Sequence, residues 1–257
     1  MHIKKKFIFI VSMIFLLIFT SCNQRPSPQE VAQFMLDIKN CNFDAVEKTI
    51  KKNSKILNIG FEGMYPIYMA IESKNADMVK LIAKPNTVNI LLKSDGYIYS
   101  PLTFAMNSNS KIIEILIEQG ADVHYIDEQN MTNLFHDFCC YRKKDIWDAI
   151  KKYATSKTLN MEDVDGITPL IWLIVEQINS DDLNNPDIIY LLKSFIEYGG
   201  NPNYLIYDKD YAFAVIDYLK YSEYVEYKQV LLDGMKNSPP IEDSEILVQM
   251  LEEGNKE

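Results

Sequence analysis

Glycine is scarce in this chain, with nine in 257 residues. Histidine is scarcer, at three (His2, His124 and His136), and there are four cysteines and two tryptophans. Each shortage removes some chemistry. So few glycines leave little room for a Gly-rich loop that wraps a phosphate, and neither a Gly-x-Ser-x-Gly elbow nor a His-Glu-x-x-His helix is present. Paired acids occur at Glu162-Asp163 and Asp181-Asp182, but in polar loop segments, where two carboxylates are ordinarily just solvated. The stretch Asp163-Val164-Asp165-Gly166 lacks the alternating oxygen ligands and terminal Glu of a calcium loop. Basic residues are also short, 26 Lys and Arg against 36 Asp and Glu, for a net charge of −10. An acidic chain repels nucleic-acid phosphates and gains nothing from anionic lipid, so no nucleic acid is expected as a partner. A basic partner fits this charge, and so does a plain solvated surface. No catalytic residue, cofactor or metal is expected.

Long apolar runs are missing as well, with one exception. Phe7–Phe19 is a 13-residue apolar run, interrupted only by Ser12, and follows Lys4, Lys5 and Lys6. It is short of the roughly 20 residues of a membrane span and has the form of a secretory signal. The run ends Phe19-Thr20-Ser21-Cys22, which resembles the lipobox of bacterial lipoproteins, with Phe19 where Leu is usual. The resemblance implies cleavage before Cys22 and acyl chains (diacylglycerol, palmitate) on that residue. Each buried methylene of such a chain is worth about 0.8 kcal/mol. An ordinary secretory signal and an uncleaved anchor helix are the alternatives. Residues 23–28 turn abruptly polar, as a tether would, and Asn23 is not the Asp that retains enteric lipoproteins at the inner membrane. The expected location is a bacterial cell envelope, at the outer rather than the inner membrane, facing the periplasm or the exterior. Loss of residues 1–21 takes the net charge from −10 to −13.

What the chain does have is self-similarity. Residues 100–124 and 168–203 each contain a small hydroxyl residue, a Pro, two apolar helical stretches and a Gly-led turn. Such repetition dictates a stacked architecture. The hydroxyl caps the first helical turn, Pro suits the next position, and Gly120 and Gly199 fit a left-handed backbone after the second helix. The closing turns end at Asn58, Asn89, His124, Asn160 and Asn203, and the units open at Tyr65-Pro66, Ser100-Pro101, Thr132-Asn133 and Thr168-Pro169. Insertions lengthen the later units, the largest being the polar run from Asn179 to Pro186.

Ser100-Pro101-Leu102, Thr168-Pro169-Leu170, residues 120–124 and residues 199–203 resemble the ankyrin repeat family. Tyr65 stands for the usual Thr, Asn133 for the Pro, and Thr103 or Ile171 for the His that follows Thr-Pro-Leu, which puts that residue's inter-repeat hydrogen bonds in question. The resemblance implies an all-α solenoid of about six helix-turn-helix units with capping ends. The expected plan is a signal peptide (1–21), a lipidated tether (22–28), repeats (29–237), and a capping helix and tail (238–257). Val31, Phe34, Met35 and Ile38 share one helical face of the first cap. Ile246, Leu247, Met250 and Leu251 form a stripe that covers the last unit or meets a partner.

His136, Cys139 and Cys140 share a helical spacing that a soft metal could use, with Asp137 or a partner residue as the fourth ligand, although the pattern is not a standard zinc motif. The bland reading is that they are small core residues. Cys41 stands about three units from Cys139 and Cys140, too far for a disulfide under nearest-neighbour stacking. His124 stands at the turn position that is Asn elsewhere. Family resemblance places a partner on the loop tips and on the concave face of the first helices. The tip residues Tyr97, Tyr99, Asp127, Glu128, Asp163, Tyr204 and Tyr207 are the candidate contacts, because aromatic anchors on polar tips are typical of interfaces and the acids favour a basic partner. The function expected is non-catalytic capture of another protein by a lipid-anchored module. An inhibitor or immunity protein that masks a toxin or protects an envelope enzyme is the alternative.

Overall fold

The computed structural model describes residues 25–94, 96–179, 183–207, 209–220 and 224–253. The apolar N-terminal run, Cys22, Asp95 and Asp181-Asp182 lie outside them. Six helix pairs follow one another: α1 (Pro28–Lys39) with α2 (Phe43–Lys52), α3 (Pro66–Glu72) with α4 (Ala76–Ile82), α5 (Pro101–Phe104) with α6 (Ser110–Glu118), and α7 (Leu134–Cys139) with α8 (Lys144–Ile150). A one-turn helix α9 (Ser156–Leu159) precedes the fifth pair, α10 (Pro169–Asn179) with α11 (Pro186–Glu197); the sixth is α12 (Lys209–Lys220) with α13 (Val225–Asn237), and α14 (Ser244–Glu253) closes the chain. Antiparallel hairpins of β1 (Leu92–Ser94) with β2 (Tyr97–Tyr99), and of β3 (Ile126–Asp127) with β4 (Thr132–Asn133), lead into the third and fourth pairs.

Helices α1, α3, α5, α7 and α10 stack in one row, and α4, α6, α8, α11 and α13 in a second. The molecule is an all-α solenoid. Its local causes are simple. Ser27 with Glu30 and Ser100 with Thr103 form reciprocal capping boxes, and Pro28, Pro66 and Pro101 occupy first-turn positions. Gly120 and Gly199 have φ of +89° and +100° where the second helices end. The apolar faces meet in one continuous core. Val31, Phe34, Met35 and Ile38 are all buried. Trp147 stacks on Phe195 with ring centroids 4.3 Å apart, and its indole N–H donates to Ser194 Oγ at 2.8 Å, so the fourth and fifth pairs are locked by both packing and a satisfied polar handle. The polar run after Asn179 is less polar than it reads, since Leu183 is fully buried. On α14, Leu247 and Leu251 are fully buried against α12 and α13, whereas Ile246 faces solvent.

The fourth unit opens one residue later than its spelling suggests. Asn133 is the cap, accepting from the amides of Phe135 and His136, and Leu134 rather than Asn133 takes the proline position. The caps Tyr65, Ser100, Asn133 and Thr168 then fall two residues after Gly63, Ile98, Met131 and Gly166, and three of those four (Gly63, Met131 and Gly166) have positive φ. With this register, Tyr68, Thr103, His136 and Ile171 are equivalent residues, each third in the first turn of its helix.

Two kinds of staple join neighbouring units. The Tyr68 hydroxyl lies 2.7 Å from the Tyr99 carbonyl and 2.6 Å from that of Ile90, and His136 Nε2 lies 3.2 Å from the Ile167 carbonyl. Tyr99 and Ile167 each immediately precede the next unit's cap. The inter-repeat bond that Thr103 and Ile171 do not make is thus supplied in the alternate units. The second staple is a two-handed amide. Asn89 donates to Gly120 O at 2.9 Å and accepts from Asp122 N at 2.9 Å; Asn160 repeats this on Gly199 O (2.8 Å) and Asn201 N (2.7 Å). Asn203 donates to Met235 O and Pro239 O. Asn58 and His124 are exposed and make no such bond among the described residues.

Candidate functional site

A cleft of about 600 Å³ spans the second, third and fourth units. The β1–β2 hairpin forms one wall, and residues of α3, α5 and α7 form the floor. Aromatic rings descend from its rim into the core. Tyr97, 52% exposed, lies 6.1 Å from Tyr99 between ring centroids; Tyr99 meets Phe104 edge-on at 6.1 Å, and Phe104 meets the fully buried Tyr68 edge-on at 5.1 Å. The wetted end of this ladder is therefore held by a rigid base, which lowers the ordering entropy a contact would cost.

Opposite the hairpin, the fourth unit contributes Asp137, Cys140 and Tyr141. Asp137 is half-buried, and its carboxylate accepts no hydrogen bond and forms no ion pair among the described residues. Burial, and secondarily the negative charge of Asp127, push its pKa up to about 7. Burial also raises the Cys140 thiol, so this exposed cysteine is not an activated nucleophile. Among the cleft-lining residues the one base is Lys74, on the turn between α3 and α4.

Of the residues read from the sequence as contacts, the structure brings Tyr97 and Tyr99 together on the cleft wall. Asp127 is corrected: it is buried, not displayed on a tip. It accepts from Gln129 N (3.0 Å), Asn130 Nδ2 (2.7 Å) and, in the neighbouring hairpin, Ile98 N (3.4 Å), so it builds the fingers. Asp163 likewise shapes its own loop, accepting from Asp165 N, Ile167 N and Trp172 Nε1. Glu128 is exposed on the β3–β4 turn. Tyr204 is half-buried in the turn Pro202–Tyr207, two units from the cleft, and the side chain of Tyr207 lies outside the described residues. As cleft residues Asp137 and Tyr141 were missed: Asp137 read only as a possible fourth ligand beside His136, Cys139 and Cys140, and Tyr141 as an ordinary aromatic position.

His136 is not available as a ligand. Its Nδ1 accepts from Asn133 N at 3.2 Å, which places the proton on Nε2 facing Ile167 O. Burial lowers its pKa to about 4, so the ring is neutral. The Cys139 thiol is fully buried and donates to Pro169 O at 3.0 Å. Among the described residues no helix is long and apolar enough to cross a membrane.

Residues 34–127 match the family model for ankyrin repeats, in three copies. No curated protein matches the chain. The matched segment holds the cleft's hairpin and the floor from α3 and α5, and the same helix-pair stacking continues beyond it to α13. Residues 34–127 thus contain ankyrin repeats, and the described residues as a whole form an all-α repeat solenoid. Such repeats form protein–protein interaction modules and are generally non-catalytic.

Proposed function

We propose that the protein captures another protein in the cleft between the β1–β2 hairpin and the first helices, and holds it at a bacterial cell envelope through a lipid on Cys22. The observation that carries the binding role is the aromatic ladder, exposed at Tyr97 and anchored at Tyr68. Large amphipathic rings on a preorganised base are the residues from which interfaces draw most of their energy. Exposed acids on the neighbouring tips, Glu128, Glu162 and Asp165, favour a basic or polar partner and steer its approach. An inhibitor that masks a basic site is a narrower form of the same reading. The tether rests on Lys4–Lys6, the apolar run and Cys22.

Two experiments test these parts separately. Partner recovery from membranes of producing cells should fall about tenfold or more (more than 1.4 kcal/mol) for the Tyr97→Ala/Tyr99→Ala double variant and be unchanged for Glu118→Gln on α6. Equal recovery removes the cleft from the binding site. Mass spectrometry of the protein extracted from membranes should find a chain that begins at Cys22 and carries acyl chains there, and Cys22→Ala should lack both; a wild-type chain that retains residues 1–21 points to an uncleaved anchor instead.

A further inference from the structure

Asp137 poses a physical problem that the binding role alone does not answer. It is a carboxylate that lines the same cleft as Tyr97 and Tyr99, with no hydrogen-bond donor and no cation against it among the described residues. Its charged neighbour Asp127 has the same sign and is itself saturated by Ile98, Gln129 and Asn130. Lys74 sits on a turn two units along and forms no ion pair with it. Half-burying an unpaired carboxylate is unfavourable, and the cost is visible in the raised pKa. An apolar ligand in the cleft would deepen that desolvation, and an acidic one would add repulsion. A cation would remove the penalty, and the faces of Tyr97 and Tyr99 would attract it as well.

We propose that the cleft receives a basic side chain, Lys or Arg, carried by the protein partner, with Asp137 as its counter-ion and Tyr97 and Tyr99 as its wall. This rests on the reading of the cleft as a protein-binding surface and names the chemistry it selects. The carboxylate is left unpaired in the free protein so that the partner can complete the pair.

The test uses the full chain in detergent micelles, panned against phage-displayed random peptides. Selected peptides are then synthesised and titrated by fluorescence anisotropy against the wild type, D137N, Y97A/Y99A and the E118Q control. The expected result is a shared Lys or Arg, whose replacement by Gln weakens binding to the wild type tenfold or more and binding to D137N hardly at all. Peptides that lose affinity for Y97A/Y99A yet carry no basic residue, or bind D137N as well as the wild type, overturn the inference and leave the cleft as a binding surface. Peptides indifferent to both variants, or the absence of any binder, overturn the cleft reading and the inference with it. Circular dichroism of each variant separates lost binding from lost folding.

Discussion

Asp137 and His136 are adjacent in sequence and respond to pH in opposite directions. His136 has a folded pKa near 4, below its usual 6.5, so the unfolded state binds the extra proton in that window, and stability is lost as pH falls from about 6.5 to 4. Asp137 has a folded pKa near 7, above its usual 3.8, so the folded state holds the extra proton, and stability is lost as pH rises from about 4 through 7. Asp137→Asn removes only the second effect. The variant should therefore be more stable than the wild type at pH 8, by roughly 1–2 kcal/mol once solvent access to the cleft is allowed for, and the gain should vanish at pH 4. Denaturant midpoints of both proteins at the two pH values check this. A residue whose removal stabilises the fold while weakening a ligand is behaving as a site, not as a support.

At the scale of elements, much was legible and the misses have physical reasons. The face of Val31, Phe34, Met35 and Ile38 is visible because helical burial imposes a period on the sequence. The opening of α7 was misread because the usual signal is absent: Met131 occupies, at φ +56°, the place held elsewhere by Gly63 and Gly166. A left-handed Met stores strain that Gly does not, and this one is exposed. Met131→Gly should raise stability by about 0.5–1 kcal/mol, measured by urea unfolding. The asparagine staples were legible as a register but not as bonds, since their partners lie 31 to 41 residues away. Asn160→Ala should cost about 1–3 kcal/mol, because a carbonyl and an amide of the next unit lose their partner. Asn58→Ala, at the equivalent but unstapled position, should stay within about 0.5 kcal/mol. Asp137 and Tyr141 could not be assigned from sequence, because three units build the cleft and periodicity reports burial within one helix at a time.

In the whole molecule, each unit is supported only by its neighbours, so the ends carry the risk of opening. α14 covers the last pair through Leu247 and Leu251. Removing residues 241–257 should expose apolar surface on α12 and α13 and speed their amide hydrogen exchange, while α5–α8 remain protected. Uniform acceleration across all units would mean that the stack melts as one block. The joints inside the stack are unequal too. Between the second and third units, and between the fourth and fifth, both staples are present. Between the third and fourth there is neither, since Thr103 turns its hydroxyl back to Ser100 and His124 is exposed, and other bonds take their place: Lys143 Nζ donates to Asn107 O and Ser108 O, Ser110 N donates to Asp145, and Ile98 N donates to Asp127. This joint is held by side chains of the fourth unit rather than by the two staples, and the cleft lies across it, with Tyr97 on one side and Asp137 on the other. A ligand gripping both sides would act as a splint, adding its own contacts to the joint that it spans.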